Sequence, residues 1–91
     1  MVTAIVLIKT HHGLLNEVAE TLADMEQVSE VYSVCGNYDA VAVLRVKNND
    51  AIADLVTGQM LKIEGIAQTE TMIAFRTYSR HDLESVFSAG F

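Results

Sequence analysis

Three segments of strand-like composition carry apolar side chains at both alternating sets of positions, and this constrains the fold more than any other feature of the chain. In Val2–Ile8, the residues Val2, Ala4, Val6 and Ile8 fall on one side while Ile5 and Leu7 fall on the other. In Asp39–Lys47 the sets are Ala40, Ala42, Leu44 and Val46 against Val41 and Val43, and in Ile66–Tyr78 they are Ile66, Met72 and Ala74 against Ala67, Ile73 and Phe75. Successive residues of a strand point to opposite faces, so a sheet with one wet face should show one polar set. The intervening sequence supplies only two amphipathic helices, enough to cover one face. The other face calls for a further apolar surface, and a second copy of the chain is the simplest one. Each side chain buried there gains about 1.5–3 kcal/mol.

The two helices are read from spacing. Leu14, Leu15, Val18, Ala19, Leu22 and Met25 recur every three to four residues, with Asn16, Glu17, Glu20 and Asp24 between them. Ile52, Leu55, Val56, Met60 and Ile63 repeat the pattern after Asn48-Asn49-Asp50, whose side chains suit an N-cap. Gly65 is expected as a left-handed C-cap of that second helix, with Lys62 in its last turn. Val28–Gly36 reads as a second strand and Asp39–Lys47 as a third, joined by a tight hairpin at Gly36-Asn37-Tyr38 in which both Gly36 and Asn37 tolerate positive φ. Ile66–Tyr78 reads as one long fourth strand.

The order is therefore βαββαβ, an α+β arrangement of ferredoxin-like type: an antiparallel four-stranded sheet with two helices on one face, pairing sheet to sheet as a dimer. At 91 residues the chain is expected to hold one such domain over 1–78. A tail over 79–91 opens with Ser79-Arg-His-Asp82, a weakened capping box that could start a short helix.

Charge and composition exclude several classes. Net charge is −6, and the basic residues Lys9, Arg45, Lys47, Lys62, Arg76 and Arg80 are scattered, so direct binding of nucleic acid is not expected. No apolar run approaches the roughly eighteen residues that read as a membrane span. Cys35 is the only cysteine, so no intrachain disulfide can form; it is expected to pack within the second strand. The N-terminus runs straight into a strand without a basic n-region, so a cytoplasmic location is expected. His11-His12 lacks a third ligand at metal-site spacing, and neither a metal nor a cofactor is expected.

The stretch Val31-Tyr-Ser-Val-Cys-Gly36-Asn-Tyr-Asp39-Ala-Val41 resembles a signature of the Lrp/AsnC regulators, in which a strand ends in Gly-x-Tyr-Asp. Gly65-Ile66 followed by Thr69-Glu70-Thr71 is similar to that family's glycine, apolar residue and spaced threonines at the start of the last strand. The resemblance covers almost the whole chain, but only the family's effector half, the RAM domain (regulation of amino acid metabolism), with no helix-turn-helix before it. It implies dimers that pair through their sheets and assemble into rings, commonly octamers or decamers, with a free amino acid or similar small effector bound between dimers. Full-length Lrp/AsnC relatives are then possible partners. The implied ligand-binding residues are Gly36, Asn37, Tyr38, Asp39, Thr69 and Thr71. Backbone N–H groups around Gly36, Asn37 and Tyr38 can take a carboxylate, Asp39 can accept from an ammonium, and the two threonine hydroxyls can donate or accept. Read without the resemblance, Gly36, Asn37 and Asp39 equally suit a bare turn, Tyr38 an interface, and Thr69 and Thr71 any strand.

Two other classes remain as alternatives to a regulatory module. A small cofactor-free monooxygenase of dimeric ferredoxin-like type needs a proton-moving polar cluster between sheet and helices, where the assigned inward positions are aliphatic. A metal-carrying ferredoxin-like domain needs paired cysteines in the first loop, where Thr10-His-His-Gly13 has none.

Overall fold

The computed structural model describes residues 1–78 and 80. The elements are β1 (Val2–Thr10), α1 (Leu15–Ala23), β2 (Val28–Ser33), β3 (Ala40–Val46), α2 (Asn49–Gly58), a 3₁₀ turn (Met60–Lys62) and β4 (Ile66–Ile73). All pairings are antiparallel and the sheet order is β2-β3-β1-β4, the ferredoxin-like arrangement. The short terminal helix expected in 79–91 falls, apart from Arg80, outside the described residues.

Alternation along β1 and β3 sorts the sheet into two faces. Ala4, Val6, Ile8, Ala40, Ala42, Leu44 and Val46 are buried and meet Val18 and Leu22 of α1, Ile52 and Leu55 of α2, and Met60. Ile5, Leu7, Val41 and Val43 point to the helix-free side and are only half-buried. Register places Tyr32 of β2 opposite Val41 and Met72 of β4 opposite Ile5, so both join that second face. They are 50% and 45% exposed. The helix-free face is thus apolar at its centre, with Lys9, Gln68, Glu70, Glu30 and Arg45 around it.

Several details depart from the sequence reading, each for a local reason. β4 stops at Ile73, not Tyr78, because its only partner, β1, runs out: Ile73 pairs with Ala4, and the Ala74 amide makes one further bond to the Thr3 carbonyl. Phe75 and Tyr78 beyond it are 99% and 75% exposed. A register shift at Lys9/Thr10 doubles up Ala67, so Ile66 packs on the helix side while Met72 faces away; the two do not share a face. The second helical pattern is divided at Gly58, a weak helix former, and Met60 reaches the core from the 3₁₀ turn instead. Asn48 caps α2 as expected, its Oδ1 accepting from the Ala51 amide at 2.8 Å.

Gly65 does have positive φ (104°), but it follows extended Ile63 and is not a helix C-cap. Its role is close approach: a Cβ here would lie 2.8 Å from Val18 Cγ2 and 3.2 Å from Leu14 Cβ. The β2–β3 connection is longer than a tight turn. Residues 34–39 lie between the strands, closed by Val34 N–H to the Asp39 carbonyl, and of Gly36 and Asn37 only Gly36 takes positive φ. Cys35 lies in this loop and is exposed, not packed in a strand.

Candidate functional site

The β2–β3 loop is anchored to the end of β1 rather than closed on itself. Asp39 N–H donates to the Ile8 carbonyl at 2.9 Å, carrying the β3–β1 ladder one step beyond Ala40. Its carboxylate then turns toward the next residues of β1: Oδ2 accepts from the Thr10 amide at 2.9 Å and from Thr10 Oγ1 at 3.3 Å. Asp39, read from sequence as the acceptor for an ammonium, therefore spends one carboxylate oxygen on holding the loop in place.

Tyr38 reaches further. Its hydroxyl donates to Glu70 Oε2 at 2.5 Å, so the side chain crosses β1 from the β3 side to β4. The phenol stands above the usual tyrosine pKa range, chiefly because the Glu70 carboxylate accepts its hydroxyl proton. Glu70 pairs with Leu7 and so belongs to the helix-free side. Tyr32, with Glu30 two residues before it on the same face of β2, is raised in the same way by its hydrogen bond to that carboxylate.

Register brings five of the six sequence-predicted residues to one end of the sheet, with Thr71 nearer its middle, and does not put them on one face. Ala40, Ile8 and Thr69 lie abreast, which sets Gly36, Asn37, Tyr38 and Asp39 about two strand spacings, roughly 10 Å, from Thr69. Thr71 lies abreast of Val6, one step farther along. Thr69 and Thr71 share the parity of buried Ile8 and Val6 and so project on the helix side, whereas Tyr38 reaches the helix-free side through Glu70. The helices do not extend over this part of β4: Thr71 and Ile73 remain exposed. Gly36 and Asn37 are exposed; Tyr38, Asp39 and Thr69 are partly covered. Two contacts of this loop, with Thr10 and with Glu70, escape a reading of the sequence. Thr10 carries no motif, and Glu70 stands out only once its register against Leu7 is known.

Among the described residues every buried side chain is apolar. Among the same residues no three His, Cys, Asp or Glu side chains come together as a metal site. No helix among them is long and apolar enough to cross a membrane.

A family model described as the Lrp/AsnC ligand binding domain matches residues 3–83. The chain belongs to the Lrp/AsnC family. Its relatives include the HTH-type transcriptional regulator FL11 of Pyrococcus horikoshii, 35% identical over 75 residues, an alignment that takes in 82% of this chain and 49% of FL11. The chain thus spans about half the length of the Lrp/AsnC regulators it matches. Among solved structures it is similar to TTHA0845 of Thermus thermophilus, with 45% identity and a TM-score of 0.83 over 88% of this chain and all of that one. The transcriptional regulator NMB0573 of Neisseria meningitidis, solved as a complex with L-Met, shares the Lrp/AsnC fold at 12% identity, with a TM-score of 0.79 over 87% of this chain and 53% of that one.

Proposed function

We propose that this Lrp/AsnC ligand-binding domain senses a free amino acid or similar small effector at a site completed between subunits, and acts in transcriptional or metabolic regulation through its assembly. The observation that carries the reading is the division of the candidate residues between two faces of β4. Thr69 and Thr71 project from the helix side of β4, whereas the Tyr38 hydroxyl reaches Glu70 on its helix-free side, so the two groups do not converge on one face of a single subunit. A neighbouring copy that brings its threonine side against this subunit's loop would supply both halves.

In this reading the helix-free face pairs sheet to sheet, because Ile5, Leu7, Val41, Val43, Tyr32 and Met72 form a continuous apolar surface with charges only at its rim. Dimers then join into a ring, an octamer or decamer in the family pattern. Backbone amides at Gly36, Asn37 and Tyr38 take the effector's carboxylate, Asp39 fixes the loop through Thr10, and Thr69 and Thr71 offer hydroxyls. Full-length Lrp/AsnC relatives are the proposed protein partners, with DNA contacted only through them. The L-Met complex of NMB0573 supports an amino acid as the class of effector.

A thermal-shift screen of the twenty amino acids at millimolar concentration tests this. An effector that binds only the folded state raises the melting temperature in step with RT ln(1 + [L]/Kd). A response to one or a few related amino acids is expected, and a flat panel contradicts the proposal.

A further inference from the structure

The helix-free face carries two opposite charges beside the loop that no motif singles out. Glu70 pairs with Leu7 and Lys9 pairs with Gln68, so Lys9 and Glu70 are diagonal neighbours on the same face of β1 and β4. Diagonal cross-strand positions lie roughly 7–8 Å apart. Both side chains are long and flexible, so an ammonium and a carboxylate based at such positions can grip the two ends of a small zwitterion, each through a charge-assisted hydrogen bond of about 2.8 Å. Tyr38 ties Glu70 to the Gly36–Asp39 loop, and a carboxylate with two oxygens retains capacity for a further donor after accepting the phenol. Asp39 is the less suitable acceptor, because two Thr10 donors hold its carboxylate against the end of β1.

We propose that Glu70 receives the effector's ammonium, while Lys9 neutralises the carboxylate held at the loop; the assignment rests on the amino-acid reading above. Both side chains are exposed in the single subunit, where water screens them. Once a second subunit covers the face, the local dielectric falls and each charge must be matched. A free amino acid matches both at once, with its negative end toward Lys9 and its positive end toward Glu70. The site therefore selects for an unmodified α-ammonium and α-carboxylate, independently of the side chain.

The test takes the strongest responder of the amino-acid screen and compares it with its N-acetyl and carboxamide derivatives. Affinities are measured by calorimetry on the full chain and on the variants Glu70→Gln, Lys9→Gln and Tyr38→Phe. Glu70→Gln still accepts from Tyr38 but loses the charge, and is expected to weaken binding about tenfold or more. Lys9→Gln is expected to weaken it severalfold, as is capping either end of the ligand. Tyr38→Phe removes the tether yet leaves the carboxylate, so it should cost less than Glu70→Gln. Wild-type affinity in Glu70→Gln, or equal binding of the N-acetyl derivative, overturns the assignment and leaves the amino-acid reading standing. No response from the wild-type chain to any amino acid overturns both.

Discussion

Replacing Gly65 by alanine tests how β4 is seated against α1. Gly65 has φ 104°, and an added Cβ would stand 2.8 Å from Val18 Cγ2 and 3.2 Å from Leu14 Cβ. Val18 is fully buried, so its methyl cannot swing clear. A left-handed backbone costs a non-glycine residue roughly 1–2 kcal/mol, and an extra methyl in a packed core costs about 1–3 kcal/mol. Gly65→Ala is therefore expected to lose about 3 kcal/mol. Gly13 also has positive φ (80°), but a Cβ there meets nothing within 4 Å. Gly13→Ala should thus show the backbone cost alone. Urea unfolding at one fixed protein concentration, followed by circular dichroism, separates the two. With an m value of about 1.5 kcal/mol per molar, the midpoint should fall by about 2 M for Gly65→Ala and by about 1 M or less for Gly13→Ala. Val18→Ala should cost less in the Gly65→Ala background than in the wild type, since it also removes the clash. Equal losses for the two glycine variants, or an unchanged cost of Val18→Ala, would refute the packing argument.

Other expectations follow from single contacts. Asn48→Ala removes the only side-chain cap of α2 and should cost about 1 kcal/mol in the same urea assay, with Asn48→Asp near wild type. Asp39→Ala leaves the Thr10 amide without its acceptor; it should cost about 1–3 kcal/mol and speed hydrogen exchange at that amide, an effect absent if Asp39 served only the turn. The Tyr38 phenol is raised by its bond to Glu70, so the folded form holds its proton at pH values where the unfolded form releases it. That contribution is complete below the unfolded tyrosine pKa and is lost as pH rises through the higher folded value. Phenolate absorbance should show two tyrosines, Tyr38 and Tyr32, titrating late, and Glu70→Gln should bring only one of them earlier; no change would remove the hydrogen bond.

The element order and the core face are legible in the sequence because they depend on local alternation. Ala4, Val6 and Ile8, with Ala40, Ala42 and Leu44, fall on one side of their strands whatever surrounds them. What escapes is set by pairing. The end of β4 depends on where β1 begins, and the opposed directions of Ile66 and Met72 depend on the irregularity at Ala67. The bond from Tyr38 to Glu70 joins residues 32 apart across an intervening strand, a distance no periodicity spans. Gly65 is readable as a left-handed position, but its neighbour is α1 rather than the helix before it, a tertiary fact.

The helix-free face can be tested on its own. Val43 lies opposite Ile5 and Glu30 on that face, so a glutamate in its place would put a charge at the centre of the apolar surface. Sedimentation equilibrium at micromolar concentration should give the wild-type chain a mass of at least two 10.0 kDa subunits, while Val43→Glu, its circular dichroism unchanged, sediments as one. A wild-type mass of a single subunit, or an undiminished assembly in Val43→Glu, would contradict the account.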